Sequence, residues 1–146
     1  MTQLEHFMAY AAAFEQTFKD DDWSRLAPFF TDDVTYQVSG LPAACTIHGR
    51  DAMFAGMKKS LDGFDRRMTK RRIVPTAPPS ANGDTITFQG YVTYERDGAP
   101  PIDLHATLVA EFSGDRIIRM HDTFALDGAA MKWLGQHAGD LDGSYV

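Results

Sequence analysis

Three stretches in the second half of the chain, TITFQGYVTYE (85–95), IDLHATLVAEF (102–112) and DRIIRMHDTF (115–124), constrain the fold more than any other feature. In each, β-branched and aromatic side chains alternate with polar ones, the two-residue period of a strand that buries one face. The links between them, RDGAPP and SGD, are short and carry glycine. Such links favour hairpins, so an antiparallel meander is predicted rather than parallel strands joined by helices. A fourth strand is expected at about 68–74, just before PTAPPSANG (75–83), whose proline, glycine and serine mark a loop.

The first half has a different rhythm. Leu4, Phe7, Met8, Ala11, Phe14, Glu15 and Phe18 recur at three- and four-residue steps, which predicts an amphipathic helix of about five turns, ended by Asp20, Asp21 and Asp22. A shorter helix is expected over roughly 23–30, capped by Asp22. VTYQV (34–38) is strand-like, with Val34, Tyr36 and Val38 on one face, and the following SGLPAACTIHG reads as irregular. A third helix from Asp51 to Leu61 sets Met53, Phe54, Met57 and Leu61 on one stripe, with Gly63 at its end. Beyond 126 only a short helix near 129–136 is expected, its end mobile or folded over the domain. Helices first and meander afterwards indicates an α+β domain, and 146 residues fit a single one, 1–146.

Composition removes several functions. A formal charge of −6 argues against nucleic acid and anionic membrane surfaces. Cys45 is the only cysteine, so neither an intrachain disulfide nor a thiolate metal cluster can form. The five histidines show no HxH or HxxxH spacing, and no nucleotide-binding glycine pattern or GxSxG elbow is present, so no metal or cofactor is expected. No apolar run approaches the ~20 residues of a membrane span. MTQLEHFMAY also lacks the features of a secretory leader, and the expected location is cytoplasmic.

The long first helix, a second ending in PFFTDDVTYQV, then IHGRDAMFAGM, and a meander closing on GDRIIRMHDTF together resemble the nuclear-transport-factor-2-like superfamily. The pattern is most similar to its SnoaL-like group of polyketide cyclases, isomerases and dehydratases, over about residues 4–126. The resemblance implies a cone, in which a strongly curved, mainly antiparallel sheet wraps round the long N-terminal helix and leaves a pocket at its open end. It also implies a homodimer through the outer face of the sheet. Fold alone does not fix function. In this sequence the proton-abstracting and enolate-stabilising positions of ketosteroid isomerase fall on Val38, Phe14 and Leu108, and the arginine–aspartate pair of the epoxide hydrolases falls on Gly90 and Val92. None of these residues can do that chemistry.

RMHDTF (119–124) carries what remains. In a strand, His121 and Asp122 leave opposite faces, so adjacency does not make them a dyad. Ile118, Met120, Asp122 and Phe124 share the more apolar face, and Ile117, Arg119, His121 and Thr123 the other. A carboxylate in an apolar setting has its proton affinity raised towards values useful for transfer. The resemblance adds that Asp122 matches the final-strand aspartate of the cyclases and epoxide hydrolases. The candidate site is therefore Asp122 as acid–base and Tyr36 as hydrogen-bond donor to a substrate oxygen. Phe14, Phe18, Val38, Met53, Phe54, Met57, Phe88, Leu108 and Met120 are expected to bind a small apolar organic ligand.

Blander readings stand beside these. Asp122 can be a hydrated strand-end carboxylate, Tyr36 a core residue, and RRMTKRR (66–72) a solvated strand edge. A slipped register would turn His105 and Asp103 inward instead, and with the register as read His105 and His121 lie near each other outside. Two functions stay open: proton-transfer catalysis without a cofactor on an apolar carbonyl or polyketide-like compound, or a non-catalytic ligand-binding or assembly module.

Overall fold

The computed structural model describes residues 1–40 and 44–146. Helix α1 spans Gln3–Asp20 and opens on a capping box between Thr2 and Glu5. Its buried stripe runs through Phe7, Tyr10 and Thr17, while Met8 is exposed, so the inward face is rotated slightly from the sequence expectation. A 3-10 helix at Trp23–Phe29, capped by Asp22, leads into strand β1, Phe30–Ser39. Strand β2, Cys45–His48, follows and pairs antiparallel with β1. The sequence reading missed β2; of the stretch read as irregular, residues 41–43 lie outside the described residues. Helix α2 covers Arg50–Gly63 and buries Met53, Phe54, Met57 and Leu61 as predicted.

The meander is as its alternation and glycine links require. Strands β3 (Lys70–Pro75), β5 (Thr85–Glu95), β6 (Ile102–Ser113) and β7 (Arg116–Ala125) are joined by a short β4 (Ser80–Asn82) inside the proline-rich stretch. Gly114, at φ +63°, supplies the left-handed residue of the β6–β7 hairpin. The sheet order is β2-β1-β7-β6-β5-β3, with β4 also on β5. The sheet is open and mixed, because β1 lies parallel to β7 while its other pairings are antiparallel. Helix α3, Gly128–His137, docks Trp133 onto the strands, its indole nitrogen donating to Pro100 O at 2.7 Å.

One register detail departs from simple alternation. The β6–β7 pairing shifts between Glu111 and Phe112, so that Glu111 faces Arg119 and Phe112 faces Ile117, leaving Ile118 as an extra residue. Ile117 is therefore fully buried and Ile118 exposed, the reverse of the parity read from sequence. Beyond the irregularity the parity recovers, and Met120, Asp122 and Phe124 point inward opposite Ala110, Leu108 and Ala106. His105 pairs with Ala125 on β7 and meets Tyr91 edge-to-face, so it is not a neighbour of His121, which pairs with Val109.

Candidate active site

Two apolar clusters form the interior. The larger joins α1, the 3-10 helix, β1, α2 and β7 through residues such as Phe7, Tyr10, Phe30, Val38, Met53 and Met120. The smaller surrounds Val92, Tyr94, Leu104 and Trp133. Residues of both line a cavity of about 1470 Å³, whose wall also includes the proline-rich turn Pro75–Pro79. Most of the lining is apolar, and its buried ionisable groups gather at two stations.

The first station is built on β7 and β1. Val38 and Asp122 are paired across the parallel ladder and Tyr36 lies two residues earlier on the same face of β1. Neighbouring same-face side chains meet there, and the Tyr36 hydroxyl donates to Asp122 Oδ2 at 2.5 Å. Among the described residues, Asp122 Oδ1 is the one buried side-chain polar atom without a partner. An orphaned oxygen of this kind costs about 1–3 kcal/mol, which is tolerated at sites where another molecule completes the bond. Burial pushes the Asp122 carboxyl up from 3.8 to about 6, partly offset by the Tyr36 hydrogen bond. Burial and then the Asp122 charge raise Tyr36 well above the usual phenol range, so it remains a donor. Tyr10 from α1 and Tyr145 from the segment after α3 also line the cavity and sense the Asp122 charge.

The second station lies where α1, β3 and β5 meet. Arg71 Nε donates to Asp65 Oδ2 at 3.0 Å and its Nη1 to Glu15 Oε2 at 2.9 Å, while the Tyr94 hydroxyl donates to Asp65 Oδ2 at 2.9 Å. The Arg71 and Asp65 side chains are only 9% and 14% exposed. Burial raises the Asp65 carboxyl despite its two donors. The solvated-edge reading of RRMTKRR is thus corrected at Arg71, which turns inward from the edge strand to pair with the buried Asp65 and the partly exposed Glu15.

Of the residues expected from sequence, Asp122, Tyr36, Phe14, Met57, Phe88 and Leu108 border the cavity. Phe18, Val38, Met53, Phe54 and Met120 do not, and their ligand-binding assignment is corrected. Val38, Met53, Phe54 and Met120 are packed into the larger cluster, where Phe30 and Trp23 fill the space against Phe54. Phe18 lies under two guanidinium groups, with Arg71 at 4.7 Å and Arg66 at 5.6 Å from its ring. The expected role of Tyr36 changes as well. A phenol has one proton to give, and it is given to Asp122. Tyr36 holds the carboxylate and has no proton left for a substrate oxygen. His121 is turned from the cavity, its Nε2 2.8 Å from Ser39 Oγ. Tyr10 was overlooked although it obeys the helical spacing of Phe7 and Phe14; Tyr145, Asp65 and Arg71 had no periodic signal to give them away.

A sequence profile of the SnoaL-like domain family matches residues 10–120, well over half of the chain. The chain belongs to the SnoaL-like domain family. Its fold is similar to that of solved structures, among them an NTF2-like protein of unknown function from Burkholderia pseudomallei, 18% identical with a TM-score of 0.64, over 90% of this chain and 95% of that one. Bal32a, from a soil-derived mobile gene cassette, is 20% identical with a TM-score of 0.64, over 84% of this chain and 92% of that one. A putative SnoaL-like polyketide cyclase from Shewanella denitrificans is 13% identical with a TM-score of 0.63, over 89% and 97%. TerC, co-crystallised with polyporic acid, is 18% identical with a TM-score of 0.63, over 88% and 98%. No curated protein matches the chain. The family match stops at residue 120, so Asp122 and the segment carrying Tyr145 lie beyond it.

Among the described residues no group of three histidine, cysteine or acidic side chains is arranged to hold a metal ion. No described helix is long and apolar enough to cross a membrane.

Proposed function

We propose that this SnoaL-like domain is a proton-transfer enzyme of the isomerase or cyclase type, acting on an apolar carbonyl compound held in the cavity. One observation carries the reading: a carboxyl on the cavity wall with Oδ2 fixed by Tyr36 and Oδ1 without a partner. A general base needs an oriented lone pair, a proton affinity near the working pH and little competing water. Asp122 combines these, with its carboxyl raised to about 6. In the proposed step Asp122 takes the proton from a carbon next to a carbonyl, the C–H electron pair becomes the enolate, and the proton is returned at a second carbon. Tyr36 keeps the carboxylate oriented throughout. Among the similar folds, TerC was co-crystallised with polyporic acid and another is described as a putative SnoaL-like polyketide cyclase, which supports an unsaturated, oxygenated ring system as the substrate class.

The test is deuterium exchange of 2-tetralone, a neutral bicyclic ketone, followed by proton NMR in D2O. Exchange at the carbon between ring and carbonyl should be accelerated by the protein, rise as pH passes about 6, and be lost in Asp122→Asn while the thermal shift given by 2-tetralone persists. Equal exchange in both proteins would refute the enzyme reading. It would favour the non-catalytic ligand-binding module, a reading supported by the small number of free polar groups on the wall. We also propose a homodimer through the outer face of the sheet, where Tyr91 and Ile118 are large exposed apolar residues. A monomer in sedimentation velocity at micromolar concentration would refute it.

A further inference from the structure

The segment after α3, residues 138–146, lies along α2 by means of a small-residue face at Gly56, Ser60 and Gly63. Ser60 Oγ donates to Gly143 O at 2.7 Å, and Asp142 N donates to Gly63 O at 3.0 Å. A Cβ on Gly63 would stand 1.9 Å from Asp142 O, and one on Gly56 2.8 Å from Tyr145 O. No side chain fits at either position without displacing the segment. Arg67 and Arg96 anchor its beginning through Asp140, and Lys59 donates to Val146 O at 2.5 Å.

This seat delivers Tyr145 to the first polar station. Its ring meets Tyr36 edge-to-face at 5.8 Å between centroids, and it lines the same cavity as Asp122. Burial, and then the charge of Asp122, raise the Tyr145 hydroxyl above the usual phenol range. Tyr145 therefore belongs to the wall of the first polar station. It covers a tyrosine whose only proton is committed to the carboxylate.

We propose that Tyr145 is a positioning residue of the proton-transfer site, and that the segment 138–146, seated on the glycine face of α2, completes the wall that keeps Asp122 and Tyr36 out of bulk water. The inference rests on the function proposed above and adds to it a part of the chain outside the family match. The groups that face Asp122 are Tyr36 from β1, Tyr10 from α1 and Tyr145 from this segment, while its β6 partner Leu108 is apolar. All three phenols are neutral at ordinary pH, since burial raises each of them. The wall therefore acts on Asp122 by excluding water.

The experiment is a 13C NMR titration of the Asp122 carboxyl in the full chain, comparing the wild type with Tyr145→Ala, Tyr145→Phe and Gly63→Ala, each first shown to melt cooperatively. Tyr145→Ala opens the wall, and Gly63→Ala dislodges the segment without altering any cavity side chain. Both should weaken proton binding at Asp122 by about tenfold, one pH unit. Tyr145→Phe keeps the ring and should restore the wild-type midpoint. If Tyr145→Ala does not fold, Gly63→Ala alone decides. A wild-type midpoint near 6 that stays unchanged in the alanine variants overturns this inference and leaves the proposed function standing. An ordinary carboxylate midpoint in the wild type overturns both.

Discussion

Replacing Asp122 by asparagine should stabilise the protein at neutral pH and have almost no effect in acid. The side chains are nearly isosteric, and the amide oxygen can still accept from Tyr36 as Oδ2 does now. The difference lies in charge. In the unfolded chain an aspartate titrates near 3.8, whereas in the fold burial raises Asp122 to about 6. Between those values the native state binds more protons than the unfolded state, so stability falls as pH rises through this window. Above about 6 the full penalty applies, and at 1.36 kcal/mol per pH unit it amounts to about 3 kcal/mol. The neutral amide carries no such penalty. Guanidinium unfolding of both proteins from pH 4 to 8 gives a difference curve in which the other titrating groups cancel. The variant should be about equal to the wild type at the acid end and more stable by about 3 kcal/mol at the alkaline end, with most of the change between pH 4 and 6. A difference that is flat across this range would refute the claim that the carboxyl is desolvated. A gain of that size on neutralising one side chain is expected where a group is kept for function at a cost in stability.

Three further outcomes follow from the same geometry. Tyr36→Phe removes the hydrogen bond that lowers the Asp122 carboxyl, so its midpoint should rise above about 6 and 2-tetralone exchange at pH 7 should slow, both readable by NMR. Arg71→Met leaves the buried Asp65 without its cation and should cost about 3 kcal/mol in chemical denaturation, more than an exposed ion pair would. Ala106→Trp projects an indole into the cavity from β6 and should abolish the 2-tetralone thermal shift while the protein still melts cooperatively.

Much of the fold was legible because its signals are local. The alternation of 85–95 and 102–112 gave strands whose bounds match β5 and β6 to within a residue. The Met53, Phe54, Met57 and Leu61 stripe likewise specified which face of α2 is buried. Asp122 was legible as an anomaly, a carboxylate at inward parity. Less local properties were hidden. Parity says that Val38 and Met120 point inward, but depth decides whether an inward residue meets a neighbour or a hollow, and depth is set by how α2 and the 3-10 helix close on the sheet. The exchange of Ile117 and Ile118 came from one irregular pairing opposite Phe112. Strand β2 is four residues long and takes its pairing from β1 rather than from its own pattern. Arg71 looked like part of a basic run because its two carboxylate partners lie in α1 and after α2, outside that run. Tyr145 sits in a segment without periodicity, and what places it is a pair of glycines on α2, far earlier in the chain.

The proton affinity of one carboxyl is the quantity on which the account depends. Titration of wild-type Asp122 by carboxyl 13C NMR, assigned with Asp122→Asn, measures it directly. The structure predicts a midpoint of about 6. A midpoint in the ordinary aspartate range would mean that water reaches the carboxylate freely, and would contradict the proposed role of the cavity.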